Sequence, residues 1–149
     1  MSNEFGMLII YADGAIGGST AGAGAVVQDR RGQVLALANR TLPRMTNNEA
    51  EYAGLLLGLE MALRLAAGTH TVQIEVRLDS EIVVYQMSGR FAVNSAALKR
   101  LHREACQRAR NMTNLSYRHI PREANRIADA LAGEAAAGRL WWLEKEDKT

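Results

Sequence analysis

The sequence predicts an α/β fold built on a five-stranded mixed sheet, with its elements in the order βββαβααβα and helices on both faces. Three observations carry this reading. Three short apolar runs near the N-terminus are joined by turn signals at hairpin spacing, which implies an antiparallel meander. A long amphipathic stretch, MTNNEAEYAGLLLGLEMALRL, follows at residues 45–65. Strand and helix patterns then alternate, which calls for parallel neighbours and for helices covering the sheet.

The first run, MLIIYA (7–12), ends in Asp13-Gly14, and the Gly-rich GAIGGSTAG (14–22) leads into AGAVVQD (23–29). DRRG (29–32) turns the chain into QVLALANRTL (33–42). The helix over 45–65 is closed by Gly68, and VQIEVRL (72–78) alternates with Val72, Ile74, Val76 and Leu78 on one face, the mark of a fourth strand. SEIVVYQM (80–87) and SAALKRLHREACQRARN (95–111) read as helices separated by the turn SGRFAVN. LSYRHI (115–120) is a fifth strand and REANRIADALAGEAAAG (122–138) a last helix. The tail, residues 139–149, carries Trp141 and Trp142, expected to dock on the domain by aromatic packing.

With 149 residues, 48% hydrophobic and 23% charged, the chain is expected to form one domain over 1–149. No stretch approaches the roughly 18 apolar residues of a membrane span. MSNEFG at the N-terminus lacks the basic and apolar regions of a signal peptide, so a cytoplasmic protein with no membrane partner is expected. Cys106 is the single cysteine and is expected to be buried in its helix. Net charge is +2, yet residues 90–126 alone carry +7, leaving −5 for the rest. Such a segment suits a polyanionic ligand, or forms a solvated helical face.

Four carboxylates stand out. On a helical wheel Glu51 shares its side with Leu55, Gly58, Leu59, Met61, Ala62 and Leu65, whereas Glu49 points with Glu60 and Arg64 to solvent. An ionised group on an apolar face needs compensation. Asp13 is either a hairpin residue or a strand-end acid, Asp79 either a helix N-cap or a site residue, and Asp129 either a partner of Arg126 or a fourth site acid. Strand ends and helix starts of an open α/β sheet meet near one edge, where clefts form. Four carboxylates meeting there could not all ionise without cations, and oxygen-only ligands favour Mg²⁺ or Mn²⁺. The chemistry this suggests is phosphoryl transfer assisted by two metal ions.

The segments YADGA (11–15), TNNEAEYAGL (46–55), LDSEIVVYQMSG (78–89) and HIPREANRIADALA (119–132) together resemble type 1 ribonuclease H, in the same order and over nearly the whole chain. The resemblance implies the ribonuclease H-like fold and an endoribonuclease that hydrolyses the RNA strand of RNA–DNA hybrids, leaving 5′-phosphate and 3′-hydroxyl ends. It implies two Mg²⁺ ions, with Mn²⁺ able to substitute, held by Asp13, Glu51, Asp79 and Asp129. Asp13 and Asp129 would hold the ion that activates water, and Asp13, Glu51 and Asp79 the ion at the leaving 3′-oxygen. The substrate contacts it implies are Gly14, Thr46, Asn47, Asn48, Asn125, Arg90 and Phe91, with Thr46 or Asn47 also able to cap the helix. Arg122, in P-R-E, takes the loop position that a catalytic histidine fills in other members; His119 is the competing candidate but falls in a strand.

The connection QMSGRFAVNSAALKRL is short, so this chain resembles the branch without a basic protrusion, and hybrid affinity would rest on Arg90, Lys99, Arg100 and Arg103. Weaker, more salt-sensitive binding than in protrusion-bearing relatives is expected, along with a monomer needing no obligate protein partner. The alternatives are a non-catalytic hybrid-binding or protein-interaction module on the same fold, and a DNA-acting relative such as a resolvase or transposase core.

Overall fold

A computed structural model describes residues 6–67, 72–112 and 114–145. Its strands are β1 (Met7–Ile16), β2 (Thr20–Gln28), β3 (Val34–Pro43), β4 (Gln73–Leu78), β5 (Asn114–His119) and β6 (Trp142–Glu144). Its helices are α1 (Asn47–Leu65), α2 (Glu81–Met87), α3 (Ala96–Ala109) and α4 (Arg126–Ala136). The strands form one mixed sheet in the order β5-β4-β1-β2-β3-β6. β1, β2 and β3 make the expected antiparallel meander, while β4 runs parallel to β1 and β5 parallel to β4. No helix among the described residues is long and apolar enough to cross a membrane.

The main core lies between the sheet and α1, α2 and α3, filled by Leu8, Ile10, Leu55, Leu59, Met61, Val76 and Val83. α4 covers the opposite face, above β1, β2 and β3. Both helix–sheet contacts are made at backbone distance. A Cβ on Gly54 of α1 would run into the Asp13 carbonyl of β1, and one on Gly14 of β1 into the Ala50–Glu51 peptide of α1. On the other face a side chain on Gly22 or Gly24 would strike the backbone of α4 at Ala132 and Ala128.

Five sequence expectations change. β1 continues past Asp13-Gly14 to Ile16, and the turn falls at Gly17–Thr20, where the Gly17 N–H donates to the Thr20 carbonyl at 2.8 Å. Asp13 is therefore a strand residue paired with Gly24, and the hairpin alternative fails. A sixth strand joins the sheet: Ala38, Leu37 and Ala36 of β3 pair with Trp142, Leu143 and Glu144. The tail docks through its backbone, leaving Trp141 and Trp142 55% and 69% exposed, so aromatic packing does not hold it. Cys106 is exposed, because Ala105 takes the buried position on α3 beside Leu98 and Leu101. The last helix begins at Arg126 after a 3₁₀ turn over Arg122–Ala124. Gly68, the expected terminator of α1, lies outside the described residues.

Gly54 and Gly133 test the close packing in opposite senses. Gly54→Ala should lower unfolding stability by about 1–3 kcal/mol, the usual cost of overpacking. Gly133, inside α4 with open space around it, should gain about 0.5–1 kcal/mol on conversion to Ala. Denaturant melts of the two variants check both signs.

Candidate active site

The acidic cluster is assembled by register. The parallel pairing of β1 with β4 ends at Ala12–Leu78, so the next residues, Asp13 within β1 and Asp79 just past β4, stand side by side. Glu51, in the second turn of α1, is brought to Asp13 by the same contact that excludes a side chain from Gly14. Asp13, Glu51 and Asp79 each offer a carboxylate oxygen, and these all lie within 4.8 Å of one another. Asp13 is 4% and Glu51 5% exposed.

Competing local roles are taken by other residues. Ser80, not Asp79, caps α2, its Oγ accepting from the Val83 N–H at 3.3 Å. Thr46 caps α1 in a reciprocal arrangement with Glu49, whose carboxylate accepts from the Thr46 N–H at 3.0 Å and from its hydroxyl at 2.9 Å. Glu49 is thus a capping residue and not a merely solvated one, a role the T-x-x-E spacing signals. Asp129 stands outside the tight group of three yet acts on it, raising the proton affinity of both Asp13 and Asp79. Its cation is Arg122, with Nη2 3.9 Å from Oδ1, in place of the expected Arg126.

Asn125 was expected at the substrate; the structure buries it to 1% exposure. Its Nδ2 donates to the Ala12 carbonyl at 2.9 Å and to Asp79 Oδ2 at 3.3 Å, so it ties the start of α4 to the ends of β1 and β4. Thr46 and Asn47 are exposed and Asn48 half-buried at the start of α1. Arg90 and Phe91 project from the turn after α2, and Lys99, Arg100 and Arg103 are exposed on α3. Arg108, by contrast, is paired with Glu60 and Glu104. His119 is the last residue of β5, where its charge acts on Asp79.

Burial pushes the Glu51 carboxyl up to about 10, with the Asp13 charge and hydrogen bond adding to the rise. Burial also lifts Asp13, to about 7, and the hydrogen bond with Glu51 works against that rise. Asp79 is raised by burial as well, while Asn125, Arg122 and His119 pull it down. A proton held between Glu51 and Asp13 is one way to neutralise the cluster; a cation is the other. Glu51 Oε2 is buried with no hydrogen-bond partner, which is the condition of a ligand atom awaiting a cation. With oxygen donors only, the group of three could hold a hard divalent metal ion.

Both raised carboxyls bind protons more tightly in the folded chain than in the unfolded one, so the stability they confer is complete below about pH 4 and is lost as pH climbs through 7 towards 10. A divalent ion held by the three carboxylates would replace the missing protons in that window. Millimolar Mg²⁺ or Mn²⁺ should therefore raise Tm over a chelated sample by about 3 °C or more near pH 8.5 and by much less near pH 5. Thermal melts check this; an equal shift at both pH values, or one that survives in Asp13→Asn, would contradict it.

A family model described as reverse transcriptase-like matches residues 12–135. The chain is 40% identical over 131 residues to the bifunctional protein Rv2228c of Mycobacterium tuberculosis, covering 86% of this chain and 35% of that protein. The N-terminal RNase H domain of Rv2228c superposes with a TM-score of 0.82 at 38% identity, over 89% of this chain and 94% of that domain's chain. RNase H1 of the halophilic archaeon Halobacterium salinarum gives a TM-score of 0.82 at 36% identity, over 89% and 99% of the two chains. LC11-RNase H1, from compost, was solved in complex with an RNA/DNA hybrid and matches with a TM-score of 0.83 at 35% identity, over 88% and 97%. This chain spans about a third of the length of Rv2228c and 64% of the Halobacterium ribonuclease HI. From the matched model, the identities and the shared fold together, the chain belongs to the reverse transcriptase-like family and stands among the type 1 ribonucleases H.

Proposed function

We propose that this chain is an endoribonuclease that hydrolyses the RNA strand of RNA–DNA hybrids, leaving 5′-phosphate and 3′-hydroxyl ends. The observation that carries the reading is the buried meeting of Asp13, Glu51 and Asp79, with one Glu51 oxygen left unpartnered. The relatives support it: proteins 35–38% identical are named as ribonuclease H, and one was solved on a hybrid.

Asp13, Glu51 and Asp79 would hold one Mg²⁺, and Asp13 with Asp129 a second, Mn²⁺ substituting for either. When bound, the two ions supply a nucleophile at neutral pH and stabilise charge on the departing oxygen. The protein's own part is placement. Asn125 fixes the direction of Asp79, and the contact at Gly14 fixes the distance of Glu51 from Asp13. Arg122, exposed beside Asp129, is suited to hold the scissile phosphate, and its guanidinium cannot shuttle a proton.

RNA is told from DNA by its 2′-hydroxyl, which both donates and accepts hydrogen bonds. Glu51, the Gly14 backbone, Asn47 and Asn48 are the groups proposed to read it, and Thr46, beside its capping role, to meet a DNA phosphate. Arg90, Phe91 and the exposed Lys99, Arg100 and Arg103 would grip the backbone. A cytoplasmic place of action belongs to the same proposal, supported by a chain with one unpaired cysteine.

End-labelled RNA–DNA hybrid, double-stranded RNA and double-stranded DNA, each incubated with Mg²⁺, test the proposal; only the hybrid's RNA strand should be cut. Asp13→Asn and Glu51→Gln should each lose more than about 100-fold in kcat while remaining folded. Glu49→Gln should stay within about twofold, because glutamine preserves the capping arrangement. Uncut hybrid, or full activity in Glu51→Gln, would overturn the assignment.

A further inference from the structure

We propose that Gln86 is a positioning residue that locks the turn bearing Arg90 and Phe91 to the helix bearing Glu51. This rests on the reading of Arg90 and Phe91 as hybrid contacts. The described structure buries four polar side chains: Asp13, Glu51, Asn125 and Gln86. The first three stand in or beside the acidic cluster. Gln86, 6% exposed in the last turn of α2, is the one the cluster does not explain.

Its amide is used at both ends. Oε1 accepts from the Tyr52 hydroxyl at 2.7 Å, and Nε2 donates to the Ala92 carbonyl at 3.2 Å. Tyr52 is fully buried and directly follows Glu51 in α1. Ala92 lies one residue beyond Phe91. Separately from the side chain, His102 of α3 places its Nε2 3.2 Å from the backbone carbonyl oxygen of Gln86.

The turn is otherwise folded back on α2. The Arg90 and Phe91 N–H groups donate to the Tyr85 carbonyl at 2.8 and 3.0 Å. The Arg90 guanidinium sits 4.9 Å from the centre of the Tyr85 ring, and Phe91 packs edge-on against that ring at 4.9 Å. These contacts hold the turn to α2 alone. Among the described residues, the amide of Gln86 is what connects it to α1. If packing were all that was required, an apolar pair at 52 and 86 would serve with no buried polar groups to satisfy. Glutamine instead offers an acceptor to the helix and a donor to the turn from one planar group, and so sets the spacing between the turn's exposed side chains and the acidic cluster.

The test measures KM and kcat on a labelled RNA–DNA hybrid with Mg²⁺ for Gln86→Met, Tyr52→Phe, and each of these combined with Arg90→Ala/Phe91→Ala. Gln86→Met should raise KM about tenfold, the scale of one buried hydrogen bond, with kcat changed less than about twofold. Tyr52→Phe, which keeps the ring, should move KM in the same direction. In the Arg90→Ala/Phe91→Ala background neither substitution should raise KM by more than about twofold further. An unchanged KM, a fall confined to kcat, or a KM effect that persists in full in that background would overturn the inference. Should Gln86→Met fail to fold, Tyr52→Phe carried through the same comparison decides it. A wild-type chain that cuts hybrid while the effects stay independent defeats this inference alone; a wild-type chain that leaves hybrid uncut defeats the proposed function with it.

Discussion

The contact between α1 and β1 governs the arrangement of everything else. The two backbones meet with no side chain between them at Gly14 and Gly54, and a Cβ at either position would enter a neighbouring peptide. One helical turn further on, Gly58 leaves room only for the Ile10 methyl. Because the helix cannot slide outward, Glu51 is held over the strand at the level of Asp13. The register of β1 with β4 then adds Asp79 without further adjustment. On the far face Gly22 and Gly24 admit α4 just as closely, bringing Asn125 and Asp129 to the same end of the sheet. An alanine- and glycine-rich pair of strands is what lets two helices approach the strand carrying Asp13.

That geometry has an energetic consequence. Buried carboxylates that close repel one another and lose hydration, and the folded chain answers by raising their proton affinity. The cluster is therefore a place of stored unfavourable charge, relieved by protons or by cations. The nearby arginine is peripheral: Arg122 reaches Asp129 and lowers the proton affinity of Asp79 from outside the group. Among the described residues no arginine or lysine enters the group formed by Asp13, Glu51 and Asp79. Three carboxylates with oxygen donors only are instead a donor set suited to a hard divalent metal ion.

Much of this was legible in the residues. The wrong-sided charge of Glu51 follows from helical periodicity alone, and the meander, the amphipathic helix and the later alternation each have a local pattern. What escaped depends on tertiary contacts. Asp13-Gly14 reads locally as a turn, and only the arrival of α1 explains why the strand runs straight through it. The register that sets Asp13 beside Asp79 is a property of two strands some sixty residues apart. Cys106 was misplaced by one helical position, because Ala105 is too small to announce itself as the core residue. The tryptophans misled in the opposite direction: their size suggested packing, yet β6 is held by the hydrogen bonds of its backbone. The resemblance implies Asn125 only as a substrate contact; its burial follows from an amide that joins the start of α4 to the ends of β1 and β4.

The α1–β1 contact gathers carboxylates whose mutual repulsion bound metal would relieve. Crystals grown with Mn²⁺ and an RNA–DNA hybrid whose RNA linkages resist hydrolysis, with anomalous scattering recorded above the manganese edge, put this to the test. One peak is expected beside oxygens of Asp13, Glu51 and Asp79 and a second between Asp13 and Asp129, with the scissile phosphate against both. Peaks confined to surface carboxylates, or a hybrid seated with Glu51 still unpartnered, would contradict it.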